Sequence, residues 1–265
     1  MKQITNNEIK EIQLSILQDI ADFCESNGIT YFLAYGTLIG AIRHNGFIPW
    51  DDDIDIAMPR QDYEIFLKEY NRRKSSIRVI HFSNDSDYGV PFAKVYDNRT
   101  WLNEFKYRKD KYGVFVDVFP VDGVKGKWQV FVATKLDKLL HVKKANFVQR
   151  SFFHNVGICI AKFFLLPFSM SSILKFSDKN AKKYPFGTTE EAGILLETYG
   201  ESEVVDTTVF ENTIFHEFEG KQYRIPIGYD RWLRSMYGDY MQLPPKEKQV
   251  NHHIFNAYWI EDINR

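Results

Sequence analysis

A chain of 265 residues with 44% hydrophobic side chains can bury a full core, which excludes a disordered protein and allows one large domain or a domain with a sizeable extension. Thirty-four basic residues against thirty-five acidic ones leave a net charge of −1, which argues against a polynucleotide partner and suits a small charged substrate. The first residues carry no apolar signal region, so a cytoplasmic location is expected, and Cys24 and Cys159 lie far apart in apolar segments, as reduced core residues do.

Thr5 and Glu8 match a capping box, and Ile9, Ile12, Ile16, Ile20 and Phe23 recur at helical spacing until Asn27-Gly28, predicting a first helix. Residues 31–35 read as a buried strand that ends at Gly36-Thr37, with a short helix from Leu38 onward. A strand, a glycine turn and a helix start make an anion site, because N–H groups at a helix N-terminus bind phosphate and Thr37 adds a hydroxyl. Next comes Asp51-Asp52-Asp53-Ile54-Asp55-Ile56. Strand residues two apart share a face, so Asp53 and Asp55 are expected side by side with Ile54 and Ile56 toward the core. Adjacent carboxylates call for a cation, and oxygen-rich sites suit Mg²⁺ or Mn²⁺. A calcium loop of the EF-hand type would need Gly where Ile56 stands, and a solvated acidic turn is the plain structural alternative.

Pro59-Arg60 then opens a helix with Tyr63, Phe66, Leu67 and Tyr70 on one face, and strands are expected at 77–82, 92–96 and 100–105. Residues 113–120 form an apolar run with one charge, Asp117, expected to be held by a metal. Residues 128–176 read as two helices. Within them, 156–168 is too short to span a bilayer and is read as core, or alternatively as a peripheral membrane contact flanked by Lys143, Lys144, Arg150, Lys162 and Lys175. The best boundary lies near Gly126; further on, a hairpin is expected at 215–227, turning at Glu219-Gly220, and a helix from Tyr229 that stops at Gly238.

A Gly-Thr turn, an Asp-x-Asp strand and a third Asp on a separate strand outline a two-metal phosphoryl or nucleotidyl transfer site. Asp117 is also a candidate to accept the proton of an acceptor hydroxyl, as a carboxylate near the acceptor would, although its position in the site is not legible in the sequence.

Residues 35–60, from Tyr35-Gly36-Thr37 through Arg43-His44-Asn45-Gly46-Phe47-Ile48-Pro49-Trp50 to the aspartates and Pro59-Arg60, resemble the signature of the LicD family, whose members include bacterial phosphocholine transferases and relatives of fukutin. The resemblance continues at 113–120, Asp122-Gly123, Phe218-Glu219-Gly220, Tyr237-Gly238-Asp239-Tyr240-Met241 and Leu243-Pro244-Pro245, and is silent over 128–185. It implies an α+β fold with a nucleotidyltransferase-like mixed sheet, flanking helices and a helical insertion. The corresponding division is a catalytic core at 1–125, the insertion at 126–186 and a C-terminal part at 187–265 that completes the site. The implied reaction is metal-dependent transfer of a phospho-substituent, foremost phosphocholine from CDP-choline, to a hydroxyl of a cell-surface glycan or its lipid-linked precursor.

On matching positions, Asp53, Asp55 and Asp117 are expected as catalytic metal ligands and Gly36-Thr37 as the phosphate turn. Arg43, His44 and Lys94 are expected to neutralise donor phosphates. A choline donor needs aromatic faces, for which Trp50, Trp101 and Tyr107 lie near the motifs. His252 and His253 either reach the site or sit in a solvated tail. A glycosyltransferase holding a metal on a nucleotide sugar, and a non-catalytic metal-binding scaffold, are the alternatives.

Overall fold

The structure, a computed structural model, describes residues 2–104, 112–144, 162, 167–250 and 255–260. The first helix, α1 (Asn6–Asn27), carries the expected capping box: the Thr5 side chain accepts from Glu8 N, the Glu8 carboxylate accepts from Thr5 N, and Gly28 ends the helix at φ 66°. Its apolar face, including Ile12, Ile16, Leu17 and Ile20, is buried against the main core.

That core is built on a mixed sheet. Strand β2 (Phe32–Leu33) pairs antiparallel with β3 (Asp55–Pro59), β3 runs parallel to β7 (Phe115–Val124), and β7 pairs antiparallel with β5 (Ala93–Asp97), which pairs with β4 (Ile77–Ile80). The far end of β7 pairs with β8 (Glu191–Gly193), which in turn pairs with β9 (Val205–Asp206). Helices α2 (Tyr35–His44) and α3 (Arg60–Glu69) flank β3 in sequence, and Pro59 precedes the first turn of α3. The architecture is α+β, as expected.

A smaller antiparallel sheet joins β1 (Lys2–Ile4), β12 (Phe255–Trp259) and β6 (Thr100–Glu104), closing the two ends of the chain on each other. The expected hairpin is β10 (Thr213–Phe218) with β11 (Lys221–Pro226), preceded by α6 (Thr208–Glu211) and followed by α7 (Tyr229–Tyr237). Helices α4 (Lys127–Lys144) and α5 (Met170–Ala181) pack through Leu136, Leu140, Ile173 and Leu174.

Three expectations shift. Only Asp55 opens the strand, with Asp53 in the segment before it, and α2 begins at Tyr35 instead of Leu38. Strands β1, β8, β9 and β12 had no counterpart in the sequence reading, because each is short and owes its conformation to a distant partner. Cys24 is buried, as expected, and burial holds its thiol far above its usual pKa. Cys159, Tyr107, Arg150, His252, His253 and most of 156–168 lie outside the described residues. Among the described residues, no helix is long and apolar enough to cross a membrane.

Candidate active site

Strand register builds the centre of the site. Asp55 of β3 stands opposite Asp117 of β7, and Asp117 stands opposite Lys94 of β5. Residues opposite one another on paired strands point to the same face, so three strands carry a transverse row Asp55, Asp117, Lys94. The alternate residues Ile54, Ile56, Val116 and Val118 are fully buried in the core. Asp55 is pinned at both backbone atoms: its N–H donates to Thr37 Oγ1 at 2.8 Å and its carbonyl accepts from Ala34 N at 2.9 Å.

The loop before β3 adds more acid. Carboxylate oxygens of Asp51, Asp52 and Asp53 lie within 4.8 Å of one another. The carbonyl of Asp52 accepts from Gln13 Nε2 at 2.9 Å, so α1 supports the loop. Asp51 Oδ2 lies over Gly36, 2.5 Å from where a Cβ would stand; only glycine lets the carboxylate approach the start of α2 so closely.

These groups open on a cavity of about 930 Å³. Asp51, Asp53, Asp55 and Asp117 line it, joined by Asp137, Glu197 and Asp239, while Arg43 and Lys248 are its basic lining residues among those described. The rings of Tyr35, Trp50, Phe92, Phe119, Tyr199 and Tyr237 complete much of the wall.

The electrostatics follow from crowding. Burial first, then the charges of Asp53, Asp117 and Asp51, hold the Asp55 carboxyl well above its usual pKa. Burial lifts Asp117 to about 7 against the opposing pull of Lys94. Several carboxylates around one cavity, two of them reluctant to ionise, make a donor set of hard oxygens short of positive charge. That set fits Mg²⁺ or Mn²⁺, which bind through carboxylates and substrate phosphate oxygens.

The structure brings Gly36, Arg43, Asp53, Asp55 and Asp117 to the cavity. It places three expected ligands elsewhere. Thr37 is 3% exposed, outside the lining, with its hydroxyl holding the Asp55 N–H. Lys94 is buried with Nζ 2.6 Å from Asp117 Oδ1, so the lone charge in the apolar run has a protein partner one strand away. His44 packs edge-to-face on Trp50 and does not line the cavity. Arg43 lines it while donating to the carbonyls of Tyr240 at 2.5 Å and Gln242 at 3.4 Å, which ties α2 to the C-terminal loop. Trp101 lies against Tyr258 in the small sheet, away from the cavity.

Sequence reading missed Tyr35, Asp137, Glu197 and Tyr199 as lining residues. Tyr35 and Tyr237 stood inside quoted motifs and offered a signal. Glu197 offered none, for nothing in its surroundings marks an isolated Glu that the fold brings next to a distant strand.

A family model described as LicD/FKTN/FKRP, nucleotidyltransferase domain, matches residues 28–177, more than half of the chain, including Asp53, Asp55, Lys94 and Asp117. This chain belongs to the LicD family. Lipopolysaccharide cholinephosphotransferase LicD of Haemophilus influenzae is 33% identical over 274 residues, covering 97% of this chain and 99% of that protein. An uncharacterised Rickettsia prowazekii protein is 28% identical over 41% of each chain. Human ribitol 5-phosphate transferase FKRP is 45% identical over 38 residues, 14% of this chain and 8% of its own. The LicD-type domain match ends before the wall formed by Glu197, Tyr199, Tyr237 and Lys248, whereas the Haemophilus LicD match runs over nearly the whole chain.

Proposed function

We propose that this LicD-family transferase moves phosphocholine from CDP-choline to a hydroxyl of a cell-surface glycan or its lipid-linked precursor. The carrying observation is the row of Asp55 and Asp117 in register on parallel strands, opening with Asp51 and Asp53 on one cavity. The 33% identity to Haemophilus lipopolysaccharide cholinephosphotransferase over nearly the full chain supports the choice of group and acceptor class.

Asp53, Asp55 and Asp117 would hold Mg²⁺ or Mn²⁺, with Asp51 at the same rim, and such an ion would supply charge neutralisation for the donor's pyrophosphate and Lewis acidity at the phosphorus under attack. The chain's own groups do the rest. N–H groups of the first turn of α2, at Tyr35 and Gly36, receive phosphate oxygens. Arg43 and Lys248 place positive charge along the cavity where the leaving CMP must be balanced. The acceptor oxygen forms a bond to the β-phosphorus of the donor, the bond from that phosphorus to the bridging oxygen breaks, and CMP departs. The acceptor's proton passes to Asp117, the carboxylate that stands in register with Asp55 on the neighbouring strand and lines the same cavity.

The division into a core at 1–125, a helical insertion at 126–186 and a completing part at 187–265 belongs to the same reading. It is supported by the packing of α4 on α5 and by the wall residues that come from the third part. Peripheral membrane contact through 156–168 belongs to it as well, a segment that lies mostly outside the described residues.

The test is calorimetry with Mg²⁺ and a panel of CDP-choline, CDP-ribitol, CDP-glycerol and UDP-glucose on wild type and Asp53→Asn. Binding of a CDP-alcohol that the variant loses is expected. Preference for UDP-glucose would replace this reading with a glycosyltransferase.

A further inference from the structure

Beyond the carboxylates assigned to phosphoryl transfer, the cavity carries a second kind of wall. Tyr35 and Tyr199 meet at 5.7 Å between ring centroids with planes at 55°, and Tyr199 and Tyr237 meet at 6.2 Å and 66°. Rings inclined in this way form a corner and not a closed stack, and all three residues line the cavity. Tyr199 is 63% exposed and Tyr237 37%, so their surfaces are open at the cavity, whereas Tyr35 is 6% exposed at its base.

The hydroxyls are already engaged inside the protein. Tyr35 donates to the buried Glu203, and the hydroxyls of Tyr199 and Tyr237 interact with each other. Burial keeps all three phenols neutral. What the corner presents is therefore ring surface, which attracts a cation through its quadrupole.

Glu197 lies beside this corner. It lines the same cavity as Tyr199, Tyr237 and the aspartates Asp55 and Asp117. Its backbone sits at φ 64° and that of Tyr35 at φ 45°, left-handed conformations that cost free energy in residues other than glycine.

We propose that this corner is the pocket for the donor's headgroup and that it takes a quaternary ammonium, with Tyr199 and Tyr237 as its aromatic walls and Glu197 as its counter-charge. The proposal rests on the reading of the site as a CDP-alcohol phosphotransferase and adds to it the residues that choose the alcohol. A polyol headgroup needs hydrogen-bond partners that ring faces do not supply, and a primary ammonium loses its hydrated N–H groups against them. A quaternary ammonium has no N–H to satisfy and is the cation that aromatic walls hold best.

The test compares kcat/KM for CDP-choline and CDP-glycerol, with Mg²⁺, in wild type, Tyr199→Ala, Tyr199→Phe and Glu197→Gln. The choline-to-glycerol ratio is expected to fall about tenfold in Tyr199→Ala and to be retained in Tyr199→Phe, which keeps the ring. Glu197→Gln lowers the same ratio. Equal losses for both donors in Tyr199→Ala would overturn the assignment and leave phosphotransfer standing.

If wild type turns over neither donor, the phosphotransferase reading fails first, and choline itself then reads the pocket without turnover. Saturation-transfer NMR with choline, glycerol serving as control, is expected to show binding that Tyr199→Ala weakens about tenfold. Absence of choline binding overturns the proposal by that route.

Discussion

Lys94 Nζ lies 2.6 Å from Asp117 Oδ1, on the strand beside it and in register with it. The same ammonium stands 3.4 Å from the centre of the Phe115 ring, enclosed by apolar surface that strengthens its hold on Asp117. Lys94 is thus the cation that lets a second buried carboxylate exist next to Asp55. Lys94→Met removes it, and Asp117, already lifted to about 7 by burial, rises further. The expected result is a kcat loss of about 100-fold at pH 7 with the ascending limb of the pH–rate profile moved upward. A profile from pH 6 to 9.5 checks it; an unmoved limb in the variant would show that Lys94 does not set the ionisation of Asp117.

Metal-free stability should carry the mark of the same crowding. Asp55 and Asp117 have folded-state pKa values above their unfolded ones, so the native state binds more protons than the unfolded chain over that interval. Their contribution to stability therefore falls as pH rises from about 4 through about 7. Glu203, held at about 8 by burial, extends the window upward. With chelator present, Asp117→Asn is expected to flatten the decline of Tm between pH 5 and 7.5. Saturating Mg²⁺ at pH 7.5 is expected to raise wild-type Tm by roughly 3–6 °C. Thermal melts at several pH values with EDTA and with Mg²⁺ decide it, and a variant with the same slope as wild type would refute the assignment.

How much of this was legible depended on range along the chain. The capping box of α1, the β10–β11 hairpin and the stop at Gly238 are local patterns, and each formed where its residues dictate. Asp53, Asp55 and Asp117 were chosen from types and spacing, and they share one cavity. What failed to show was pairing across distance. No sequence feature says that Lys94 faces Asp117 or that Glu197 comes to stand near that row, because strand order and loop closure decide both. Thr37 was read only as a phosphate ligand for a related reason: a hydroxyl at a helix start suits phosphate, and only the arrival of β3 shows it accepting from the Asp55 N–H.

Thr37→Val tests that reassignment directly. Valine keeps the shape and removes the acceptor, leaving the Asp55 N–H buried and unsatisfied at a cost of about 1–3 kcal/mol. Asp55 then loses its fixed position, so kcat is expected to fall about tenfold while KM for the donor changes little. Steady-state kinetics with a thermal melt separate the possibilities. A raised KM with kcat intact would return the hydroxyl to the donor's phosphates.

Arg60 closes the quoted signature at 35–60, yet it serves the fold. Its Nε and Nη2 meet Asp122 Oδ1 and Oδ2 at 2.7 and 2.6 Å, and its Nη1 reaches Asp178 at 3.0 Å and Glu64 at 3.3 Å. Asp122 is fully buried on β7 and Asp178 lies on α5, so one guanidinium joins the main sheet to α5. Burial raises the Asp122 carboxyl and the bidentate pair with Arg60 pulls it back. Arg60→Met strips that compensation and is expected to cost about 3–5 kcal/mol. Arg60→Lys should recover little, since one ammonium cannot span both oxygens and reach Asp178. Pairing Arg60→Met with Asp122→Leu removes both buried charges and should restore much of the loss, because Lys182, 2.7 Å from Asp178 and 2.8 Å from Glu64, still serves the remaining acids. Urea unfolding of the single and double variants measures the coupling; additive losses would mean that Arg60 and Asp122 do not act as a pair.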